Sequence, residues 1–467
     1  MSAKAKLKYV LFGAVFAGGF ASLSLELAVM RQLSGFVGST AVTASIIIGV
    51  LLAFMSLGYY RGSTVSIRRN RIRQVLAPDF IVIALMSVLA SSYILIDLYF
   101  WAMNGLGIRS NVAQTFVYSL LLLSAAPYLF GKVTAVLSRY LHRFDRNNTG
   151  RIMAVDPVGS VLGSILTTLV LMPFVGVNHT VMLIAAAALL TAWLLGSRQI
   201  VLMLFIMLAA FSLNRDRLLF EVYHIVENNA VSTISVEEAD DGRSKIMMMN
   251  GGGASKVSED PEFRFGYVRF VEDNFISRLP QTGTPKKILI IGAGGFTMGL
   301  NDDFNRYTYV DVDASLKDVS EKHFLPEKLG DNKKFVVQDA NQFLKESGEL
   351  FDLIVLDTYS SRHIIPLDLV TVEYFARVKA RSAPDGAVVM NIVGSPSFSS
   401  PLSQKIDNTI RRVFPFPLGR QVIGSLPIFS AQSFCTSGST GAEVRLSRPQ
   451  PDVCLVQSAG KFRCLHD

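Results

Sequence analysis

Three aspartates, Asp311, Asp339 and Asp357, each close an apolar run that reads as a β-strand, and the cluster Gly292-Ala293-Gly294-Gly295 closes another. Glycines after a strand let the backbone turn sharply and approach a nucleotide closely. An acid ending the next strand, as Asp311 does 19 residues after Gly292, is placed to take ribose hydroxyls. Asp339, in "VVQDANQF", suits an adenine amino group, and Asp357 ends a fourth strand. Acids at successive strand ends line one carboxyl edge, where open α/β sheets bind ligands. Each acid alone also reads as a solvated strand-end or helix-cap carboxylate. The stretch "KKILIIGAGGFTMGL" predicts a strand tipping straight into a helix, with Thr297 where a dinucleotide fingerprint wants a third glycine.

The elements that must position these groups alternate. Strands are expected at 286–292, 307–312, 333–338, 351–357 and 386–393 with helices between, which predicts a mainly parallel sheet covered on both faces. Before it, 225–258 reads as a small β layer around an Asp-Gly turn, and "FGYVRFVEDNFISRL" (265–279) has helical spacing. No repeat and no low-complexity tract is visible.

The first 213 residues read differently. Apolar stretches near 9–30, 41–60, 77–100, 113–131, 154–176 and 180–195 have the length of membrane-crossing helices, for which about 20 residues are needed. A seventh, "IVLMLFIMLAAFSL" (200–213), rises only about 21 Å and either spans with snorkelling flanks or lies at the interface. Residues 1–213 carry 16 Lys/Arg and 5 Asp/Glu, whereas residues 214–467 carry 29 and 32. The basic excess lies in short loops: Lys4, Lys6 and Lys8; Arg61, Arg68, Arg69, Arg71 and Arg73; Lys132, Arg139, Arg143, Arg146 and Arg151. Only Arg31 and Arg109 fall on the other side. That is a positive-inside pattern with a cytoplasmic N-terminus rather than a nucleic-acid footprint. Six spans leave the C-terminal domain in the cytoplasm and seven put it outside; the 200–213 run is too apolar to leave in water, so seven spans and a periplasmic, extracytoplasmic C-terminal domain are expected.

Glu26 with Arg31, and Asp156 with Lys132, sit where lipid discourages charge. They read either as structural ion pairs or as a buried polar site. Gly159 and Gly163 offer a small-residue face for close helix packing. All three cysteines, Cys435, Cys454 and Cys464, fall in the last 33 residues. No C-x-x-C occurs and no metal is expected. Two of the three pair in an oxidising compartment, or all three are ordinary thiols in an extension.

The order of β layer, "LIIGAGGF", "YVDVDASLKDVSEKHFLP", "VVQDANQFL" and "FDLIVLDTYSS…IPLDLVTVEYFARVKARSAPDGAVVMNI" resembles the spermidine synthase family. "LELAVMRQL" and "AVDPVGSVLGS" resemble its multi-span, membrane-fused form. The resemblance implies an N-terminal polytopic α-helical membrane bundle and a C-terminal α/β Rossmann-like domain of the methyltransferase/spermidine synthase type. It divides the chain into spans (1–213), β layer and linking helix (214–280), Rossmann-like domain (281–434) and Cys-containing tail (435–467). It implies an inner-membrane transferase of polyamine biosynthesis, taking an aminopropyl or related group from decarboxylated S-adenosylmethionine or a related adenosyl thioether to an amine; transfer of a different group, as by a methyltransferase, is the neighbouring expectation. Carried over, Gly292, Gly294, Gly295, Asp311, Asp339 and Ala340 bind the adenosyl molecule, and Asp357 orients or deprotonates the amine. Tyr359, Arg362 and His363 lie at the acceptor site. Two departures stand out. The family's glycine loop carries an Asp where this chain has Gly295, and Arg362 stands where an acid is common. The expected partners are the lipid bilayer, the adenosyl molecule and a homodimer or membrane-complex partner, with no nucleic acid. The competing expectation is a catalytically inactive domain serving as a binding or assembly module.

Overall fold

The computed structural model describes residues 3–38, 40–65, 71–239, 241–260, 263–359, 365–393, 401–414, 419–423 and 452–458. The chain divides into two compact units, Met1–Ser235 with Met249–Gly251, and Val236–Met248 with Gly252–Asp467.

The first unit is helical: α1 (Ala3–Val37), α2 (Ala41–Thr64), α3 (Ile72–Ser91), α4 (Tyr93–Gly105), α5 (Asn111–Tyr118), α6 (Ala125–His142), α7 (Asn148–Leu166), α8 (Met172–Leu194), α9 (Ile200–Leu213) and α10 (Asp216–Tyr223). The span expected at 77–100 is two helices, because Ser92 is extended (φ −77°, ψ 127°) and breaks the run. The span expected at 113–131 is a bent pair, Asn111–Leu123 with Ala125–His142 at 47°, meeting at the π turn Ser119–Leu123. The loop expected between 176 and 180 shrinks to one residue. Gly176 takes φ 81°, ψ 164° inside an otherwise helical run, a left-handed backbone that few side chains tolerate. Among the described residues, four runs are long and apolar enough to cross a membrane, or five if the bent pair counts as one. Helix α9 falls short of that length.

Glycines set how closely these helices approach. A Cβ at Gly159 or Gly163 of α7 would strike the backbone of Phe16 or Phe20 of α1, and one at Gly58 of α2 would strike Tyr128 of α6. Such contact lets backbones pack through dispersion where no hydrophobic drive exists. Lys132 pairs with Asp79 at 2.8 Å, while Asp156 accepts from Thr134 at 3.4 Å.

Four strands follow, β1 (Ile225–Asn228), β2 (Thr233–Glu238), β3 (Ser244–Met249) and β4 (Gly252–Ser258), in sheet order β1-β2-β3-β4. After the short helix α11 (Gly266–Val271) comes the second sheet. Its strands are β5 (Lys287–Ile291), β6 (Arg306–Asp311), β7 (Lys333–Val337), β8 (Phe351–Leu356), β9 (Ser382–Val393), β10 (Gly419–Ile423) and β11 (Asp452–Ser458). The helices α12 (Leu316–Val319), α13 (Ala340–Glu346), α14 (Val372–Arg381) and α15 (Pro401–Val413) connect them. The order is β10-β11-β9-β8-β5-β6-β7, and the pairings are parallel. The near-continuous apolar runs of β5 and β8 are those of strands buried on both faces.

Two expectations change here. The sheet does not stop at 434: β11 lies between β9 and β10, so part of the expected tail is a sheet strand. The structure's division also falls at Ser235 rather than 213, because β1 packs with the helices.

Candidate active site

Winding reverses at β5, whose neighbours are β6 and β8. The carboxyl ends of these strands therefore flank the crevice in which such sheets bind ligands. Gly292 ends β5 with φ 94°. A Cβ there would run into the carbonyl of Asp357, so only glycine lets β5 and β8 close this tightly.

No helix follows. Gly294 (φ 48°), Phe296 (φ 59°) and Gly299 (φ 72°) all take positive φ, and 293–305 are turns and bends. The expected strand-to-helix step fails because a right-handed helix cannot hold such residues. The turn is fixed by side chains instead. Gly295 N donates to Ser255 Oγ at 2.8 Å, and Gly299 N donates to Glu272 Oε1 at 3.0 Å. Glu272 in turn pairs with the buried Arg264 at 3.1 Å. Phe296 packs edge-on against Tyr309 and Phe335. A Cβ at Gly295 would overlap the ring of Phe324.

Asp311 sits on one side of this turn. Its carboxylate accepts from Ala293 N at 3.0 Å and from Asp313 N at 3.1 Å. Burial pushes its pKa above the ordinary carboxylate value, against the pull of those N–H groups. Asp357 sits on the other side. Tyr267 OH donates to its Oδ2 at 2.7 Å, and Asn391 Nδ2 donates to its Oδ1 at 3.0 Å. Burial raises this carboxyl too, opposed by the Asn391 and Tyr267 hydrogen bonds. Tyr359 OH donates to the Asn391 carbonyl at 2.9 Å, tying the start of the next loop to β9.

Asp339 has a structural role as well as its strand-end position. It is the N-cap of α13, its side chain accepting from Gln342 N at 2.9 Å, and Ala340 behind it is buried. Asp311 and Asp357 thus bracket the glycine turn, with Asp339 one strand further out. Arg362 and His363 lie outside the described residues, as do Cys435 and Cys464 and the side chain of Cys454. Sequence reasoning missed Tyr267, Asn391 and Ser255. Asn391 had a signal, being the lone polar residue in "VVMNIV"; Tyr267 and Ser255 had none.

The donor set fits a nucleoside with a cationic amine. A carboxylate offers about four lone-pair sites; Asp357 uses two, and Asp311 accepts from the Ala293, Asp313 and Val312 N–H groups. Those left suit a ribose hydroxyl at Asp311 and an ammonium at Asp357. Among the described residues no group of three or more His, Cys, Asp or Glu is gathered to hold a metal.

Fold and site define a doubly wound α/β domain with its candidate site at the carboxyl edge of a parallel sheet. The spermine/spermidine synthase domain model matches residues 270–444. Polyamine aminopropyltransferase 2 of Aquifex aeolicus is 22% identical over 433 residues, covering 86% of this chain and 83% of that one. The polyamine aminopropyltransferase of Sulfurisphaera tokodaii is 34% identical over 139 residues, which are 28% of this chain and 45% of that enzyme. A probable spermidine synthase structure from Corynebacterium glutamicum aligns with TM-score 0.30 at 24% identity, covering 34% of this chain and 60% of that one. Residues 270–444 are matched as a spermine/spermidine synthase domain, and the likeness to the polyamine aminopropyltransferases is strongest there.

Proposed function

We propose that this protein is a membrane-anchored aminopropyltransferase-like enzyme, using decarboxylated S-adenosylmethionine or a related adenosyl sulfonium as donor and an amine as acceptor. The observation that carries the reading is the pair Asp311 and Asp357, bracketing the glycine turn at the switch point of the sheet. Asp311 would hold the ribose. Gly292 and Gly294 leave room for backbone approach, and Asp339 with Ala340 would face the adenine.

The bound donor supplies an electrophilic methylene and a neutral thioether leaving group. Asp357 takes the proton that the acceptor nitrogen sheds as its new C–N bond forms and the C–S bond breaks. A carboxyl raised by burial is a better base than one in water, and the Tyr267 and Asn391 hydrogen bonds fix its orientation. The apolar helices of the first unit support anchoring in a bilayer.

A second reading, a domain that binds adenosyl thioethers without turnover, draws on Gly295. The family's acid is absent there, and the place is filled by Phe324. One experiment separates the two. The full chain in detergent should bind methylthioadenosine by calorimetry, and Asp311→Ala should weaken binding by about 1.5–3 kcal/mol, as for lost hydrogen bonds to a charged group. Turnover of an alkyl diamine that Asp357→Asn abolishes supports the enzyme. Binding without turnover of any amine supports the module. No heat at millimolar ligand from folded protein sinks both.

A further inference from the structure

We infer that the long run Asn148–Leu194, broken at Gly176, crosses the membrane twice, that α9 adds a seventh crossing, and that the spermidine synthase domain lies on the side opposite the N-terminus, outside the cytoplasm. Two properties of the helical unit carry this: the direction in which its helices pack, and the different chemistry of its two ends.

Direction comes first. Phe16 meets Gly159, Phe20 meets Gly163, and Thr167 Oγ1 bonds Ser24 Oγ at 2.8 Å, so numbers rise together and α1 runs parallel to α7. Gly58 meets Tyr128 and Gly62 meets Lys132 and Ala135, so α2 runs parallel to α6. One end of the bundle therefore gathers the starts of α1 and α7 and the finishes of α2 and α6. It is the basic end. Arg139 donates to the carbonyls of Ser63 and Val65, and Arg151 pairs with Asp145 at 3.2 Å. Arg61, Arg143 and Arg146 belong to the same end.

The other end is a network of amides and hydroxyls. Gln32, near the finish of α1, donates to Ser91 O at the finish of α3 (3.2 Å). Asn228 Nδ2 bridges Gln32 Oε1 (3.3 Å) and Asn178 Oδ1 (2.9 Å). Arg31 donates to Asn229 O (2.8 Å) and Thr233 Oγ1 (3.2 Å). Through these bonds Arg31 and Gln32 of "LELAVMRQL" hold the segment by which the chain leaves the bundle.

The path of α9 decides the count. Asn178 lies just past the Gly176 break, where the regular part of α8 sets out, and its Nδ2 donates to Asp216 Oδ1 at 3.0 Å, just after α9. Asn214, the residue capping α9, donates to Ser92 Oγ at 2.9 Å. The chain therefore goes down α8, turns at 195–199 with Arg198, and comes back up α9 to the amide end. A helix lying along the inner surface would instead finish beside Arg139 and Arg151. Fourteen residues rise only about 21 Å, and bilayer thinning or flanking polar residues cover the shortfall at fractions of a kcal/mol per Å. From Asn214 the chain stays at the amide end through β1 and leaves at Val236. The basic end marks the cytoplasm by the positive-inside rule, so the domain emerges opposite.

This orientation stands without the enzyme reading. Joined to it, it means that donor and acceptor are drawn from the extracytoplasmic pool. Alkaline phosphatase and green fluorescent protein, each fused after Asp467 of the full chain, give complementary readouts in bacterial cells. Active phosphatase, a dark fluorophore and retention in carbonate-washed membranes are expected. A fluorescent fusion with inactive phosphatase, or recovery in the soluble fraction, overturns the inference. Neither readout depends on turnover, so the result is separable from failure of the transferase assay.

Discussion

Replacing Gly295 with alanine tests whether the glycine turn is held by packing or merely tolerated. The backbone here needs no left-handed φ, so any cost comes from space. A Cβ would overlap the Phe324 ring and stand 3.0 Å from Ser255 Cβ. Phe324 is 1% exposed, and its ring has nowhere open to swing. Overpacking of this kind costs about 1–3 kcal/mol. If the turn shifts to make room, the Gly295 N–Ser255 Oγ bond is lost for about 0.5–1.5 kcal/mol more. A loss of about 2–4 kcal/mol should lower the melting temperature of a domain this size by roughly 5–15 °C. Thermal unfolding of the full chain in detergent, followed by near-UV circular dichroism, measures it. The causal claim is checked in a Phe324→Leu background, where Gly295→Ala should cost less than about 1 kcal/mol because the obstructing ring edge is gone. An alanine variant that melts with the parent, or equal losses in both backgrounds, would refute the packing argument. The same geometry says that Gly295→Asp alone cannot install an acid here unless Phe324 is also reduced.

Two further outcomes are expected. Asp357 must be ionised to act as base, so turnover should fall as pH drops through its raised pKa; Tyr267→Phe removes a hydrogen bond favouring the charged form, and should move this acidic limb to higher pH, checked by kcat/KM profiles. In the bundle, Lys132→Met should destabilise by about 3–5 kcal/mol because the buried Asp79 loses its partner, whereas Asp79→Asn with Lys132→Met should recover most of that, read as detergent melting.

Some of this was written in the chain. Alternating apolar runs and turn residues located β5 to β9 to within a few residues, because burial on both faces demands near-continuous apolar strands. The acids at 311 and 357 were legible for the same reason: strand ends are where such a sheet changes from apolar to polar. The basic residues of the short loops were legible as a cluster, and Arg139 and Arg151 do meet Ser63 and Asp145 at one end of the helices. The sequence also left both fates of Asp339 open, and its capping bond to Gln342 N shows that a helix N-cap occupies that strand end.

Other features required the folded chain. "GAGGFT" reads locally as strand-to-helix, yet Ser255 and Glu272, 40 and 27 residues upstream of the amides they accept from, hold it as a turn of positive φ. Tyr267 and Asn391 meet Asp357 from 90 and 34 residues away, separations at which no local periodicity carries information. The path of α9 was undecidable from length alone. Its end is fixed by Ser92, at the break between α3 and α4, and by Asn178 of α8, which holds Asp216 just beyond it; both placements depend on how the whole bundle packs. Local pattern encodes what each segment buries; which distant side chain satisfies a given polar group is decided when the segments pack.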